Sequence, residues 1–167
     1  DQSQGVMTGL GQLAERFGLE LGDFARQLDL VVHGTTTADN TMIEETGAAT
    51  GLLTTIGHRD EIEMRRGFKE NIWDPTAPPP FHIAPRRARI AIPERMGPDG
   101  NVVLALDEDA VRAGVRRLKQ LGITSIAICF LYSYLNPEHE QRARQILLEE
   151  YPDVQHVSVS HEVGPKA

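Results

Sequence analysis

The sequence has a single cysteine, Cys129, so an intrachain disulfide is excluded. One unpaired thiol fits a reducing compartment, and we therefore expect a cytoplasmic protein. No apolar run approaches the roughly 20 residues of a membrane-spanning helix. Basic residues are also few, with 17 Lys and Arg against 24 Asp and Glu and a formal net charge of -7. Because nucleic acids and membrane surfaces attract concentrated basic charge, we expect neither as a partner and expect small molecules or proteins instead.

The pattern of apolar residues predicts an α/β fold. The 167 residues, 40% hydrophobic and 25% charged, have the size and balance of one soluble globular domain. Amphipathic helical patterns alternate with short apolar runs, which is typical of a mostly parallel sheet flanked by helices. The predicted strands cover 30–32, 48–54, 124–131 and 154–160. The run 124–131 is the most continuously apolar, so we expect it in the middle of the sheet.

Polar and helix-breaking residues mark the predicted helix ends. Asp107 is expected to cap one helix that Gly122 ends, and Asn136 to cap the next, with Pro137 in its first turn and Pro152 at its end. No helix or strand is predicted after the last strand.

Prolines set one segment apart from this α/β pattern. Most of the ten prolines lie between Pro75 and Pro98, where neither a helix nor a strand ladder can continue. The alternating residues of 89–93 and 102–106 flank a turn and predict a small antiparallel hairpin. We therefore expect 1–167 to be a single, incomplete domain and 66–106 to be a proline-rich loop and hairpin excursion from its sheet.

The stretch 30–47 is the first candidate site. Three apolar residues predict a short buried strand, and a turn then opens a helix that Gly47 closes. Backbone N–H groups, hydroxyls and the positive end of a helix dipole meet at such a turn and bind anions, here a phosphate or a carboxylate. An ordinary capped turn is the alternative interpretation. The candidate substrate- or phosphate-binding residues are His33, Gly34, Thr35, Thr36, Thr37 and, one turn into the helix, Asn40.

Two arginines after the strand 48–54 are further candidates. Arg59 and Arg65 follow a strand end, where ligands of α/β proteins bind, and a guanidinium can hold a phosphate or carboxylate with two hydrogen bonds. The alternative is a solvated, charged helix.

Other reactive residue types give weaker signals. The pairs His139–Glu140 and His161–Glu162 have no metal-ligand spacing, and adjacent residues project differently, so we predict no metal site. His139 is interpreted as a polar residue in a first helical turn. Cys129 lies inside an apolar strand, where a thiol is ordinarily inert. No residue can be assigned a catalytic role from the sequence.

Several blocks of sequence together resemble a known family. They are HGTTTADNTMIEETGAATGLLTTIGHRDEIEMRR, the IWDP and PPP segment, LDEDAVRAGVRRLKQLGITSIAICFLYSYLNPEHEQRARQIL, and SHEV. Their order and spacing resemble the N-terminal region of the hydantoinase A, 5-oxoprolinase and acetone carboxylase beta-subunit family, over nearly the whole chain.

The resemblance implies an actin-like, ribonuclease H-like ATPase domain. It implies ATP-dependent opening of a cyclic amide, either hydantoin or 5-oxoproline, or carboxylation of a ketone, with ATP and a divalent cation such as Mg. It also implies a cytoplasmic oligomer with a hydantoinase B-type partner subunit. In that setting the turn at 33–37 would line the crevice near the transferred phosphate or the substrate, and Arg59 or Arg65 would supply positive charge.

One departure from the family pattern limits this expectation. Family members carry two Gly-Gly-Thr phosphate loops, and this sequence has no two adjacent glycines. We therefore expect a fragment of an enzyme, which by itself binds no ATP tightly and is inactive. The alternative is a structural or subunit-interaction module without catalytic residues of its own.

Overall fold

The computed structural model describes residues 2–64, 73–77 and 81–165. The chain divides into two compact units, Asp1–Asn40 and Thr41–Ala167, and each is described by itself. Among the described residues, none of the helices has the length and apolarity that crossing a membrane requires.

The first unit contains two helices joined by a glycine. Helix α1 (Gln2–Arg16) and helix α2 (Leu21–Arg26) agree with the predicted amphipathic patterns. Gly18 between them has a φ of +67°, in the left-handed region that glycine adopts most easily. The rings of Phe17 and Phe24 stack with their centroids 5.7 Å apart. Helix α3 (Thr37–Ile43) begins in this unit and continues past its boundary.

The strand predicted over 30–32 is wrong. Leu30, Val31 and Val32 form no strand and are exposed. Strand β1 (Thr50–Thr55), the strand expected to pair with them, already has a parallel neighbour on each side. A strand needs a free edge to pair with, so these apolar residues cannot join β1. The helix predicted to follow the turn is α3, and it ends at Ile43 rather than at Gly47.

A four-stranded parallel sheet forms the second unit. Its strands are β1, β2 (Arg89–Ile92), β5 (Ser125–Cys129) and β6 (His156–Val159), in the order β2-β1-β5-β6. All three pairings are parallel. Strand β5 lies inside the sheet, as its apolar composition predicts. The prediction of a mostly parallel sheet is confirmed.

Two helices pack on this sheet and on each other. They are α5 (Glu108–Gln120) and α6 (Glu138–Glu150). The cap predicted for α5 is confirmed, because the carboxylate of Asp107 accepts a hydrogen bond of 2.9 Å from the backbone of Ala110. The core between helices and sheet includes Leu53, Ile92, Val111, Val115, Leu118, Ile126, Ile128, Ala143, Ile146, Leu147 and Val159.

The predicted hairpin is half wrong. Its first strand, 89–93, contributes β2 to the main sheet, where Ile90 pairs with Leu53 of β1. Alternating apolar residues suit either position, and sequence alone does not distinguish them. The actual hairpin joins β3 (Arg95–Met96) to β4 (Val102–Leu104).

The second unit also contains two short helices, α4 (Glu61–Met64) and α7 (Ser160–Val163). Helix α7 was not predicted. The single incomplete domain with an excursion over 66–106 stays a prediction.

We predict that Gly114→Ala destabilises the second unit. A Cβ on this residue of α5 would lie 2.9 Å from Cγ2 of Ile90, a branched side chain on β2 that has little freedom to move. The free energy of unfolding should fall by about 1–3 kcal/mol, the usual cost of overpacking a core, as measured by urea denaturation. Gly5→Ala in α1 is the control, because its Cβ would meet nothing within 4 Å. Equal stability of the two variants would contradict the close packing of α5.

Candidate functional site at the carboxyl edge of the sheet

The predicted anion-binding turn lies on the surface of the first unit. The candidate residues from His33 to Thr37, together with Asn40, are exposed. The hydroxyls of Thr35 and Thr37 are 2.8 Å apart, and the backbone N–H of Asn40 donates to the carbonyl of Thr36 over 2.8 Å. The turn opens α3 as predicted. Its role as a substrate- or phosphate-binding site stays a prediction.

Of the two candidate arginines, Arg59 lies in the second unit and Arg65 lies outside the described residues. Arg59 follows β1 in the chain, and its Nη2 lies 2.8 Å from the Asp60 carboxylate. The Asp60 carboxylate also forms ion pairs with Arg86 at 3.2 Å and with the buried Arg89 at 3.5 Å. Arg89 forms a further ion pair with Glu63 at 2.6 Å. The charged segment is therefore a network of ion pairs around Asp60.

These arginines hold the pKa of the Asp60 carboxyl to about 2, below its ordinary value of 3.8. The hydrogen bond from Arg59 is the largest cause, followed by the hydrogen bond from Arg86. The same contact raises the pKa of Arg59. Arg59 is therefore a cation held by its neighbour.

A second polar cluster lies where the parallel strands end, and it is buried. Glu94, two residues after β2, is fully buried and accepts a hydrogen bond from the hydroxyl of Thr55, the last residue of β1. Its other oxygen lies 2.8 Å from Nδ1 of His139, in the first turn of α6. Thr55 in turn accepts a hydrogen bond of 2.9 Å from the backbone N–H of Leu131, just beyond β5. We call this group the Glu94 hub.

Glu140, which follows His139 in α6, is the centre of a second hub at the ends of β5 and β6. One of its oxygens accepts from the backbone N–H of Phe130 at 2.9 Å and from the Ser160 hydroxyl at 2.6 Å. The other accepts from the backbone N–H of His161 at 3.1 Å and lies 2.6 Å from Nδ1 of its ring. We call this group the Glu140 hub. It ties the ends of β5 and β6 to α6.

The two hubs together join the carboxyl ends of all four parallel strands. Open α/β sheets bind their ligands outside this edge, so it is the candidate functional site of the second unit. Among the described residues, no buried side-chain nitrogen or oxygen lacks a hydrogen-bond partner. No group of three or more metal-ligating side chains is placed to hold an ion within the described ranges. The side chains of the two hubs can donate and accept hydrogen bonds and can transfer protons.

Sequence reasoning did not find the hubs. Adjacent residues of α6 do project differently, as expected, but each points into a different buried cluster. His139 does lie in the first turn of α6, as interpreted, but its side chain is buried against Glu94, which the sequence does not indicate. Cys129 is also corrected, because it ends β5 and is exposed. A usable signal was present: polar residues directly after several parallel strands must converge at one edge.

We predict that Asp60→Asn changes how stability depends on pH. The folded pKa lies below the unfolded value, so the carboxylate stabilises the fold above about pH 4, and this contribution is lost as the pH falls toward 2. The variant should melt at a lower temperature than wild type at pH 7, and the difference should shrink between pH 4 and 2. Exposed Asp153→Asn is the control. A difference in melting temperature that is constant from pH 7 to 2 would refute the ion-pair network.

Comparison with known proteins identifies the family. The sequence matches the family described as Hydantoinase/oxoprolinase N-terminal region over residues 1–151. It is 38% identical to the caprolactamase subunit alpha of Pseudomonas jessenii over an alignment of 168 positions, which covers 99% of this chain and 24% of that protein. It is 32% identical to the acetophenone carboxylase gamma subunit of Aromatoleum aromaticum over 163 residues, covering 92% of this chain and 22% of that subunit.

Solved structures agree with the sequence comparison. The crystal structure of the ATP-dependent caprolactamase from Pseudomonas jessenii matches with a TM-score of 0.85 and 39% identity, over 96% of this chain and 23% of that one. The nucleotide-free structure of acetone carboxylase matches with a TM-score of 0.81 and 26% identity, over 100% of this chain and 25% of that one. Both are ATP-dependent enzymes, which is consistent with the expected ATPase-type domain. The chain spans about a quarter of the length of these relatives. It belongs to the hydantoinase/oxoprolinase N-terminal region family, as its sequence blocks predict.

Proposed function

We propose that this chain is part of an ATP-dependent enzyme that opens a cyclic amide. The observation that carries the proposal is the match to an ATP-dependent caprolactamase, 39% identical with a TM-score of 0.85 over 96% of the chain. Caprolactamase is named for a lactam, and hydantoin and 5-oxoproline are cyclic amides as well. Substrates of this class share one chemical difficulty, because an amide carbonyl is a poor electrophile.

ATP would supply the activation in the full-length protein by phosphorylating the amide oxygen and so creating a leaving group. The residues of this chain do not fit a complete site for metal-bound ATP, because the sequence has no Gly-Gly-Thr loop and no described group of side chains is placed to hold a metal. We therefore assign the chain one wall of the site. Its turn at 33–37 offers hydroxyls and backbone N–H groups to a phosphate or to the substrate, and Arg59 and Arg65 offer positive charge.

Partner subunits are part of the proposal. Caprolactamase, acetophenone carboxylase and acetone carboxylase all match this chain through proteins named as subunits. We propose a hydantoinase B-type partner in an oligomeric, cytoplasmic enzyme that requires a divalent cation such as Mg. Exposed apolar side chains near the proline segment, Trp73, Phe81 and Ile83, suit contact with such a subunit.

A second candidate reaction is the carboxylation of a ketone. It is favoured by the TM-score of 0.81 to acetone carboxylase and the 32% identity to a subunit of acetophenone carboxylase. A third possibility is that the segment is a structural or subunit-interaction module, which the exposed aromatic residues near the prolines favour.

A substrate panel tests the proposed reaction. The full-length protein with its partner subunit is assayed for ATP consumption and product formation with caprolactam, hydantoin, 5-oxoproline, acetone and acetophenone, with and without Mg²⁺. Lactam or imide ring opening coupled to ATP is the expected result. If only the ketones were turned over, and only with bicarbonate present, the proposed reaction would be wrong and carboxylation would replace it.

The turn is tested by Thr35→Val/Thr36→Val in the same full-length protein. A hydrogen bond to a charged group contributes about 1.5–3 kcal/mol, so kcat/KM should fall about 10- to 100-fold if these hydroxyls bind a phosphate or carboxylate. Thr8→Val is the matched control, because the Thr8 hydroxyl donates 2.8 Å to the carbonyl of Gln4 within its own helix. Wild-type turnover of the double variant would remove the turn from the mechanism and favour a purely structural module.

A further inference from the structure

Three histidines in the second unit have Nδ1 held by a glutamate. The pairs are His58 with Glu61, His139 with Glu94 at 2.8 Å, and His161 with Glu140 at 2.6 Å. The other nitrogen of His58 lies 2.6 Å from Nη1 of Arg95 and is thereby occupied. His139 and His161 are the pairs that belong to the buried hubs at the carboxyl edge.

The Glu140 hub fixes the tautomer of His161. The Glu140 carboxylate has four hydrogen-bond contacts of 2.6–3.1 Å, with Phe130 N, Ser160 Oγ, His161 N and His161 Nδ1. An ionised carboxylate only accepts, so Nδ1 of His161 must carry a hydrogen and donate it. In the neutral ring Nε2 is then the nitrogen with a free lone pair. A carboxylate that orients an imidazole in this way is a recurring device of general base catalysis.

The position of His161 differs from that of His139. His161 is the second residue after β6, and its side chain is 13% exposed. The side chain of His139, which lies on α6 and contacts Glu94, is 8% exposed. The carboxylate partner of His161 has no exposed surface and is bonded to four donors. The imidazole is therefore anchored on one nitrogen and reaches solvent at the edge where α/β sheets bind ligands.

We propose that Nε2 of His161 accepts the proton of the attacking water in the ring-opening reaction, with Glu140 as the positioning residue. This inference rests on the proposed cyclic-amide opening. In the step, an O–H bond of water breaks and its proton passes to Nε2. The oxygen forms a bond to the carbon of the phosphorylated amide, and the π electrons of its C=N bond move onto the ring nitrogen, which takes the proton from the imidazolium. When the C–N bond breaks, the proton of the new hydroxyl passes to the leaving nitrogen and the carbon is left as an acyl phosphate, which a second water hydrolyses to a carboxylic acid and phosphate.

The charged and titratable groups around His161 come from three elements. Glu140 and Arg144 lie on α6, Glu162 on α7 and Cys129 at the end of β5. Glu162 Oε1 is 4.0 Å from Nε2 of His161 and is paired with Arg144 at 3.0 Å. Burial raises the pKa of the Cys129 thiol. The ring thus has one carboxylate near each nitrogen, Glu140 at Nδ1 and Glu162 at Nε2.

The test compares His161→Asn with His156→Asn in the full-length protein with its partner subunit. The amide nitrogen of the introduced asparagine can keep the hydrogen bond to Glu140, but this side chain offers no base at the position of Nε2. His156 is an exposed histidine at the start of β6 and serves as the matched control. We expect kcat of H161N to fall about 10²- to 10⁴-fold, the usual contribution of general acid–base catalysis. KM for substrate and ATP and the melting temperature should be unchanged, and the acidic limb of the pH profile of kcat should disappear.

The outcomes separate the inference from the proposed function. The inference would be overturned if the wild type opened a cyclic amide and H161N did so with the same kcat and the same pH profile. The proposed function would then still stand. A rise in KM with unchanged kcat would also overturn it, because it would indicate binding rather than proton transfer. No turnover of any cyclic amide by wild type would overturn the proposed function, and the inference with it.

Discussion

One buried carboxylate holds the carboxyl ends of β5 and β6 together. Glu140 is almost completely buried, and all four of its hydrogen-bond donors come from the ends of β5 and β6. Breaking a buried, fully bonded charge is strongly destabilising, because the remaining groups are left without partners in a medium that cannot solvate them. The loop after β5 and the short helix α7 therefore depend on a single side chain of α6.

The second unit uses charge in two different ways. The Glu94 and Glu140 hubs are buried, so their hydrogen bonds act at low dielectric and are insensitive to salt. The ion pairs around Asp60 are partly exposed, and solvent screens them, so they orient the segment after β1 more than they stabilise it. The buried hubs thus hold the carboxyl edge, and the surface network keeps the neighbouring arginines in place.

Local signals in the sequence were sufficient for much of the fold. Asp107 and Gly122 marked both ends of α5, and the apolar run 124–131 correctly placed β5 inside the sheet. The errors involve pairing between distant segments. Residues 30–32 have the composition of a strand, but β1 is already paired on both sides and offers them no free edge. Residues 89–93 were expected in a hairpin and instead contribute β2 to the main sheet. Composition records whether a segment suits a strand, and it does not record which strand lies beside it.

The candidate site was hidden for the same reason. Glu94 and His139 are 45 residues apart in the chain, and only the strand order β2-β1-β5-β6 brings them together. Recognition of the family from sequence blocks did not need this order, so the family was predicted while the hubs were not. The turn at 33–37 and Arg59 were identified by their residue types, and they lie in different units of the chain.

The adjacency of His139 and Glu140 limits how the chain can vary in length. Each residue of an α-helix advances about 1.5 Å and turns by about 100°, so a single insertion or deletion between Glu140 and the core residue Ala143 would rotate both side chains out of both hubs together. The spacing between the hub residues and the core residues of α6 is therefore fixed, whatever the length of the loop before the helix.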